Sequence, residues 1–400
     1  MPSLNNNNVV SLLNSAYKQS TGIIPETALT LADFIDLGND GSLASYTEQF
    51  TKALIACVVD NWFTDTSYRS EYRDKWFEDE RKYGAIRQVV TVEVGDVQAS
   101  HAWQDFESGV SKAGEYTLYL PVVTAKLYGK TVSWELPIAI TYEQFDDAFR
   151  DERSLSDFVN YIFLVVDNKI ALHLENTNDL NRNNFIAEKI SAQADDDIGG
   201  VHKVNLLGEY HDNGGSSSVT ISNWRQSDDF KRFCAGRVDL YRKYMSKPTA
   251  VFNTDGKVRF TPKDRMVLEV LADFAKELET STYATTFHNE WIKMPLYDEV
   301  AYWQAPTTED DSVTSYFDFD TVSSINLISA SGETVTHSGI VAFLADKWAI
   351  MHTLRSHRVA VKNFDPEAIN QYYYQFRDSY MNNLGMNAIV FTIEDDTLNP

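Results

Sequence analysis

The segment FDFDTV comes closest to a catalytic motif in this 400-residue chain, because Asp318, Asp320 and Val322 have the DxDxV spacing of hydrolases that form an aspartyl-phosphate. In that chemistry the first aspartate is the nucleophile and the second is the acid and base. The motif needs an apolar strand in front of it, and here the preceding residues DDSVTSY are polar. We therefore interpret the segment as a charged surface hairpin.

Other catalytic and metal-binding signatures are absent from the sequence, which contains no GxSxG, GxxxxGK[ST], GxGxxG, HExxH or CxxC. The two nearest histidines, His352 and His357, are five residues apart, which is not the helical i, i+4 spacing of metal ligands. Cys57 and Cys234 lie far apart in apolar or helical surroundings, a pattern that indicates buried thiols in a reducing compartment. We predict no catalytic, metal-binding or cofactor-binding residues.

A carbohydrate-active enzyme is the alternative that the composition leaves open. Aromatic residues make up 13% of the chain and carboxylates are abundant, so two acids could flank a sugar stacked on Trp or Tyr, as in glycoside hydrolases. Acid pairs such as Glu78 and Glu80 are local, however, and the sequence singles out no carboxylate in an apolar environment.

The charge balance argues against a polyanionic ligand. The 58 acidic and 35 basic residues give a formal net charge of −23, which repels nucleic acid unless a local basic patch reverses the field. The densest basic stretch, CAGRVDLYRKYMSK, is interpreted as the solvated side of an amphipathic helix. No segment is apolar enough to span a bilayer, and the N-terminus lacks a secretory signal. We predict no sequence-specific nucleic-acid binding, no membrane segment and a cytoplasmic protein.

One long helix dominates the predicted structure. SLSDFVNYIFLVVDNKIALHLENTND contains no Gly or Pro, and its apolar residues recur at spacings of three and four. Ser154 is the predicted N-cap, with Asp157 near the positive end of the helix dipole. We expect the apolar first half to contact neighbours on two sides and the Asn-rich second half, ENTNDLNRNN, to be solvated. The predicted buried stripe comprises Leu155, Phe158, Val159, Ile162, Val166 and Ile170.

Two strands are predicted around a long excursion. IRQVVTVEV and TVSWELPIAITY are rich in β-branched or alternating apolar residues, whereas residues 95–130 between them are polar and contain several glycines. An excursion of this length without a helix is usually a functional loop or an arm that reaches a partner. The first 50 residues are polar and Asn-rich, which suits an arm draped over another surface.

The remaining chain is predicted to be a sheet domain interrupted by an α/β insertion, so the fold class is α+β. The insertion contains predicted helices at 227–245 and 262–278. The last part returns to short strands in SSINLISA, AFLADKWAIM, HRVAV and NAIVFTIED, with the polar aromatic segment FDPEAINQYYYQFRDSYMNN between them.

This order of parts resembles the major capsid proteins of tailed bacteriophages, which have the Hong Kong 97 type of fold, and it is most similar to those of small short-tailed phages. The resemblance rests on the arm, the strand pair, the long capped helix, the insertion and the closing FLADKWAIMHTLRSHRVAVKNF and NLGMNAIVFTIED. The closing segment includes an acidic-then-aromatic turn from Asp346 to Trp348. The resemblance covers nearly the whole chain.

The resemblance implies a domain order. The implied parts are an N-terminal arm (1–50), a helix and lead-in (51–85), an extension loop built as a β-hairpin (86–145), a peripheral domain with the long helix as its spine (146–200), an inserted axial domain (201–325) and returning strands of the peripheral domain (326–400).

The resemblance also implies a major capsid protein that self-assembles into hexamers and pentamers of an icosahedral shell around double-stranded DNA. The arm begins without a long helical segment for a protease to remove, so we expect a separate scaffolding protein, together with a portal. Assembly is expected in the host cytoplasm, and the DNA is expected to be held without sequence-specific contacts. Another virion component, such as a portal or tail protein, is the structural alternative.

Three aromatic residues of the excursion, Trp103, Phe106 and Tyr128, are the candidate intersubunit contacts. Large aromatic groups in a polar, glycine-punctuated loop would be wet in an isolated domain, and exposed groups of this kind commonly mark interaction surfaces.

Overall fold

The computed structural model describes residues 6–21, 29–39, 76–78, 87–93, 120–128, 131–141, 152–194, 199–285, 297–305, 317–328, 334–364 and 369–395. The helices are α1 (Asn6–Thr21), α2 (Leu31–Asn39), α3 (Glu152–Gln193), α4 (Leu206–Asp212), α5 (Asp228–Met245), α6 (Ala272–Thr285) and α7 (Phe319–Val322). The strands are β1 (Phe77–Glu78), β2 (Arg87–Glu93), β3 (Val122–Tyr128), β4 (Thr131–Thr141), β5 (Lys203–Asn205), β6 (Met266–Leu271), β7 (Asp298–Val300), β8 (Ile325–Ile328), β9 (Thr334–His337), β10 (Ile340–Asp346), β11 (Ile350–Phe364), β12 (Ile369–Asn382) and β13 (Ala388–Thr392).

The main core is built around a five-stranded mixed sheet in the order β5, β13, β10, β6, β7. β10 is antiparallel to both β13 and β6, and every residue of β10 and β13 is buried. A continuous apolar run such as IVAFLA is typical of a strand covered on both faces. The sheet takes strands both from the range predicted for the axial domain and from the range after it.

A second sheet has four strands in the order β1, β11, β12, β4. β12 lies between two long antiparallel partners and pairs with β4 from Ile369 opposite Thr141 to Ser379 opposite Thr131. The rings of Trp134 on β4 and Phe376 on β12 are stacked, with centroids 4.1 Å apart. Aromatic pairs of this kind on neighbouring strands are a main source of sheet stability.

The long helix α3 contacts both sheets. Its middle lies on the four-stranded sheet, where the His173 ring is 4.2 Å from the Trp134 ring. Its C-terminal part lies on the five-stranded sheet, where the Phe185 ring is 5.8 Å from that of Phe343. Val166 and Ile170, from the predicted buried stripe, are buried. One 42-residue element therefore connects the two sheets.

Two expectations about this helix are wrong. It begins at Glu152, so Ser154 lies inside the first turn and is not the N-cap. The Asn-rich half is not solvated throughout, because Arg182 and Asn183 are buried. Both side chains donate to the backbone oxygen of Trp303, Asn183 at 2.6 Å and Arg182 at 3.4 Å. These polar residues face a distant part of the chain that local sequence does not reveal.

Arg182 is the centre of a buried charge cluster between the helix and β6. Its guanidinium lies 3.6 Å from the carboxylate of Glu269 and 3.1 Å from that of Asp179, and it stacks over the Trp303 ring at 5.0 Å. Trp76 Nε1 donates to Glu269 at 3.2 Å. One cation thus faces two carboxylates in a weakly polar environment. Burial raises the pKa of Asp179 to about 6, although Arg182 opposes the shift.

Of the two helices predicted in the insertion, one is confirmed and the other is wrong over its first half. The helix predicted at 227–245 is confirmed as α5, with Ser227 as an N-cap that accepts from the Phe230 backbone N–H. The helix predicted at 262–278 is wrong over its first half, because 266–271 is the buried strand β6 and the helix begins at Ala272. The polar aromatic segment is strand β12. The excursion also contains a strand, β3.

The arm helices α1 and α2 lie against α3 of the same chain. Leu13 and Phe34 are fully buried, with the Phe34 ring 6.1 Å from that of Tyr17. The Asn14 side chain both donates to and accepts from the Leu29 backbone at 2.8 Å. Within the single chain, the surface under the arm is therefore its own long helix. The helix and lead-in implied at 51–85 lie outside the described residues, apart from residues 76–78.

The raised pKa of Asp179 predicts a pH-dependent stability. The folded chain binds a proton up to about pH 6, whereas the carboxyl ordinarily titrates near 3.8, so the native state binds more protons between these values. The free energy of unfolding should therefore fall as the pH rises through this window. Asp179→Asn, which cannot ionise, should exceed the wild type by about 1–3 kcal/mol above the window, with a smaller difference at lower pH. Urea unfolding at about pH 8 and about pH 4.5 measures this difference.

The matched control is Asp229→Asn, because the Asp229 side chain is 83% exposed. Its difference from the wild type should be small at both pH values. An Asp179→Asn protein that is less stable than the wild type at both pH values would contradict the account, because Arg182 would then require an ionised partner at this position.

Candidate functional site: a two-faced hairpin

The hairpin of β2 and β3 presents an apolar outer face. The strands are antiparallel, with Val90 opposite Ala125 and Val92 opposite Val123, and residues directly opposite lie on the same face. On this face Val92 is 55% exposed, Val123 is 59% exposed and Leu127 is 66% exposed. An apolar face that is this exposed commonly is a surface that binds another protein.

The inner face of the hairpin carries Thr91, Thr124 and Lys126 beside two valines, and these three polar residues bond to residues 255–259 of the same chain. Lys126 Nζ is 2.6 Å from Asp255 Oδ1, and Lys257 Nζ donates to Thr124 Oγ1 at 2.7 Å. Arg259 donates to Thr91 Oγ1 at 3.3 Å. These contacts decide which face of the strand pair turns outward.

The segment that holds the hairpin is tied in turn to the long helix by Lys189. Its buried ammonium group donates to three backbone oxygens, those of Phe252 at 3.3 Å, Leu384 at 3.0 Å and Met386 at 3.4 Å. Burial lowers the pKa of Lys189 to about 7, with Asp255 acting in the opposite direction. The hairpin, its support and the helix therefore form one continuous set of contacts.

Close packing also restricts this support at Gly385. A Cβ atom built there would lie 2.1 Å from Asp255 Oδ2, so any side chain would displace the carboxylate that binds Lys126. Asp255 also accepts from Arg259 at 3.4 Å. Glycine is therefore needed at this position for the carboxylate to reach both cations.

Of the predicted intersubunit contacts, Tyr128 is at the end of β3 and the other two, Trp103 and Phe106, lie outside the described residues. Tyr128 is half-buried on the inner face, opposite Arg87. Burial raises its pKa, and the nearby carboxylate of Asp255 adds to the shift. Sequence reasoning missed the outer-face valines. Their signal is the alternation of side chains between the two faces within VVTVE and VVTAKL, and it can be used only once the pairing register of the two strands is known.

The sequence motif of paired aspartates has a structural role in place of the predicted surface hairpin. Asp318 is the N-cap of α7, and its side chain accepts from the Thr321 backbone N–H at 2.9 Å. Hydrogen bonds from the side chain and then the backbone of Thr321 lower the pKa of Asp318. Asp320 lies in the first turn of the same helix and is exposed. Such a cap explains the two acids without catalysis.

Two of the remaining sequence candidates, His352 and Cys234, are structural, whereas Cys57 lies outside the described residues. His352 is buried, with its Nε2 atom 3.7 Å from the Asp378 carboxylate and its ring stacked 4.6 Å from Tyr380. Cys234 is buried, which raises the pKa of its thiol. Among the described residues, no group of three or more His, Cys, Asp or Glu side chains is arranged to hold a metal ion. The described helices likewise include none long and apolar enough to cross a membrane.

The comparison with known proteins gives a consistent result. The sequence model of the Phi29-like phage major capsid protein family matches residues 15–392. The chain is similar to one in the capsid structure of Staphylococcus phage Andhra, with a TM-score of 0.50 and 12% identity over 79% of this chain and 83% of that chain.

A second solved structure is also similar, that of the head fiber and inner core protein gp22 of native bacteriophage P68. The TM-score is 0.51 and the identity 12%, over 82% of this chain and 86% of that chain. At this identity the two similarities show the fold, which is the Hong Kong 97 type predicted from the order of elements. A search of curated protein sequences found no match.

The hairpin geometry predicts a separation between folding and association. Val123→Asp places a charge on a face that is already in water in the single chain, so the melting temperature of the monomer should change little. If a second subunit covers that face, the buried unpaired charge should lower the yield of large assemblies about tenfold or more, because about 1.4 kcal/mol per contact suffices. Sedimentation of the expressed protein measures the yield, and differential scanning calorimetry measures the melting.

Val123→Ile is the matched control, because it keeps the face apolar and should keep the assemblies. Equal assembly by the aspartate and isoleucine variants would show that this face remains in solvent.

Proposed function

The chain belongs to the Phi29-like phage major capsid protein family, and we propose that it assembles into hexamers and pentamers, the units of an icosahedral head that encloses double-stranded DNA. It is a capsid-forming structural protein of the virion. The observation that carries the proposal is the hairpin, one face of which bonds to residues 255–259 while the apolar outer face is exposed among the described residues, because a neighbouring subunit would remove that apolar face from water.

The prediction that the chain is not an enzyme is confirmed, because its family consists of structural capsid proteins. The glycoside hydrolase alternative therefore receives no support. The portal or tail alternative is replaced by the family assignment.

The proposed domain assignment follows the two sheets. The four-stranded sheet and α3 form the peripheral domain, with α3 as its spine, and the five-stranded sheet with α4 to α6 forms the axial domain. The β2–β3 hairpin lies within the extension loop predicted at 86–145. Residues 1–50 supply the arm. Supporting the assignment is the contact of α3 with both sheets, which a spine between two domains requires.

The proposed partners other than further copies of the chain are a separate scaffolding protein, a portal and the packaged DNA. The net charge of −23 supports contact with DNA that is weak and independent of sequence, since DNA is repelled on average. Assembly is proposed to occur in the host cytoplasm. Candidate contacts between subunits in the proposed extension loop are Trp103, Phe106 and Tyr128, together with the outer-face valines of the hairpin.

Electron microscopy and light scattering of the expressed protein test the proposed function. Rings of five and six copies, and closed shells built from them, are the expected species, because heterologous contacts close into rings. Measurements should be made with the chain alone, in crowding salts, and with the scaffolding protein of the same phage. A chain that stays monomeric under all three conditions would contradict the proposal.

A further inference from the structure

The two ends of the five-stranded sheet carry opposite charge. β10 runs from Ile340 at one end to Asp346 at the other, and β6 runs in the opposite direction, with Met266 paired to Asp346. A strand of six or seven residues spans roughly 20 Å, so the two ends are well separated surfaces. Each end also carries exposed aromatic residues.

The basic end is built from residues 257–265 and the turn 346–348. Together these segments contain five basic residues and two acidic ones. The basic residues are Lys257, Arg259, Lys263, Arg265 and Lys347, and the acidic ones are Asp264 and Asp346. The backbone N–H of Lys347 donates to Arg265 O at 2.8 Å, which joins the two segments.

Both arginines of the basic end are paired with carboxylates of their own chain, Arg259 with Asp255 and Arg265 with the buried Asp346. The exposed charges of this end are therefore those of Lys263, Lys347 and Asp264, a net charge of 2 − 1 = +1. Asp346 is 1% exposed and accepts from Arg265 and from Thr261. The guanidinium of Arg265 lies 3.8 Å from the centre of the Trp348 ring, which is 50% exposed. Phe260 is 56% exposed in the same segment. Lys263 and Lys347 are exposed beside these rings. Aromatic and arginine side chains together are typical of interface hot spots.

The acidic end is formed by 297–305 and 317–322. These segments contain four acidic residues and no basic one. They are held together and to the start of β10 by Trp303, whose backbone N–H donates to Val322 O at 3.2 Å and whose Nε1 donates to Ile340 O at 2.8 Å. Phe317 is 70% exposed next to Asp318.

The cation beside this end is already paired. Arg225 stacks over the Phe319 ring at 5.7 Å and bonds to Asp273. Glu299, Asp318 and Asp320 are exposed and face outward from β7 and α7. The acidic end therefore keeps its negative charge.

We infer that the basic end of one copy docks on the acidic end of the next copy of the same chain, in a head-to-tail contact within a ring. The inference rests on the proposed function, since it names the surfaces through which the copies meet. The occupant is a second copy because the chain itself carries both halves of a complementary pair, at opposite ends of one rigid sheet. Head-to-tail contacts generate a closed ring when the rotation between successive copies closes, and an open filament when it does not, so the proposed ring requires the first case. Complementary charge fixes the register and disfavours head-to-head encounters.

The proposed contact also includes two features of the sequence, the acidic pair of FDFDTV and the acidic-then-aromatic turn from Asp346 to Trp348. In the single chain these residues leave Phe317 and Trp348 exposed, each beside charge of one sign. Bringing the two ends together would cover both aromatic groups and place Lys263 and Lys347 opposite carboxylates.

A charge swap tests the pairing. Counted over the exposed groups, Lys263→Glu with Lys347→Glu changes the charge of the basic end from +1 to −3, and Glu299→Lys with Asp320→Lys changes that of the acidic end from −3 to +1. Each double variant should lose self-association by about tenfold or more, measured by sedimentation velocity and electron microscopy at low salt, where exposed charges are least screened. The chain with all four substitutions exchanges the two charges and should recover association to within about threefold of the wild type. An equimolar mixture of the two double variants should also recover rings of six, in which the variants alternate, whereas a ring of five cannot alternate and should stay rare.

Two single reversals outside both ends are the matched controls, Lys276→Glu and Asp229→Lys, whose wild-type side chains are 80% and 83% exposed. Both should associate like the wild type, and circular dichroism should show every variant folded. Failure of both the four-fold variant and the mixture to recover, or normal association of the double variants, would overturn the pairing while leaving the proposed function intact. A wild-type chain that never associates would overturn both.

Discussion

The buried guanidinium of Arg182 on the long helix lies 3.6 Å from the buried carboxylate of Glu269 on β6, and this contact fixes the helix on the five-stranded sheet. A buried cation is tolerable only when paired, because its desolvation is costly. Trp303 adds a ring face and a backbone oxygen, so the guanidinium has partners from the helix, from β6 and from the segment after β7. The position of the helix then sets the positions of the segments that contact it, including those that support the hairpin.

The hairpin is the part that depends on this frame most visibly. Lys189, two turns further along the helix, holds Phe252 and the 384–386 turn through its ammonium group. The loop that follows Phe252 supplies the charges that hold the inner face of the hairpin. The apolar outer face is thus presented in one orientation by a chain of polar contacts. Buried polar groups thus fix the orientation of the hairpin, and exposed apolar groups are left to bind another subunit. This arrangement suits a protein that assembles with copies of itself.

Local pattern predicted several elements well, and the reasons are physical. Ser227 followed by two aspartates and an amphipathic repeat specifies its own helix, because the cap, the dipole and the apolar face all lie within eighteen residues. The strands near 87–93 and 131–141 were likewise found from β-branched alternation. The order of such elements sufficed to indicate the capsid fold.

What sequence did not reveal depends on distant partners. The segment MVLEVL is compatible with either a helix or a strand by its local pattern. It forms a strand because it pairs with β10 on one side and β7 on the other. Arg182 and Asn183 read as solvated until Trp303, some 120 residues away, is brought to them. The face of the hairpin that turns outward depends on Asp255 and Lys257, about 130 residues from their partners. Such contacts leave no local signal.

The most direct test of the central claim is a density map of an assembled shell at side-chain resolution. The account predicts that the inner face of the hairpin still bonds to residues 255–259 of its own chain, while Val92 and Val123 on the outer face are covered by a neighbouring copy. A shell in which those valines face solvent, or in which the hairpin has left its own support, would contradict it.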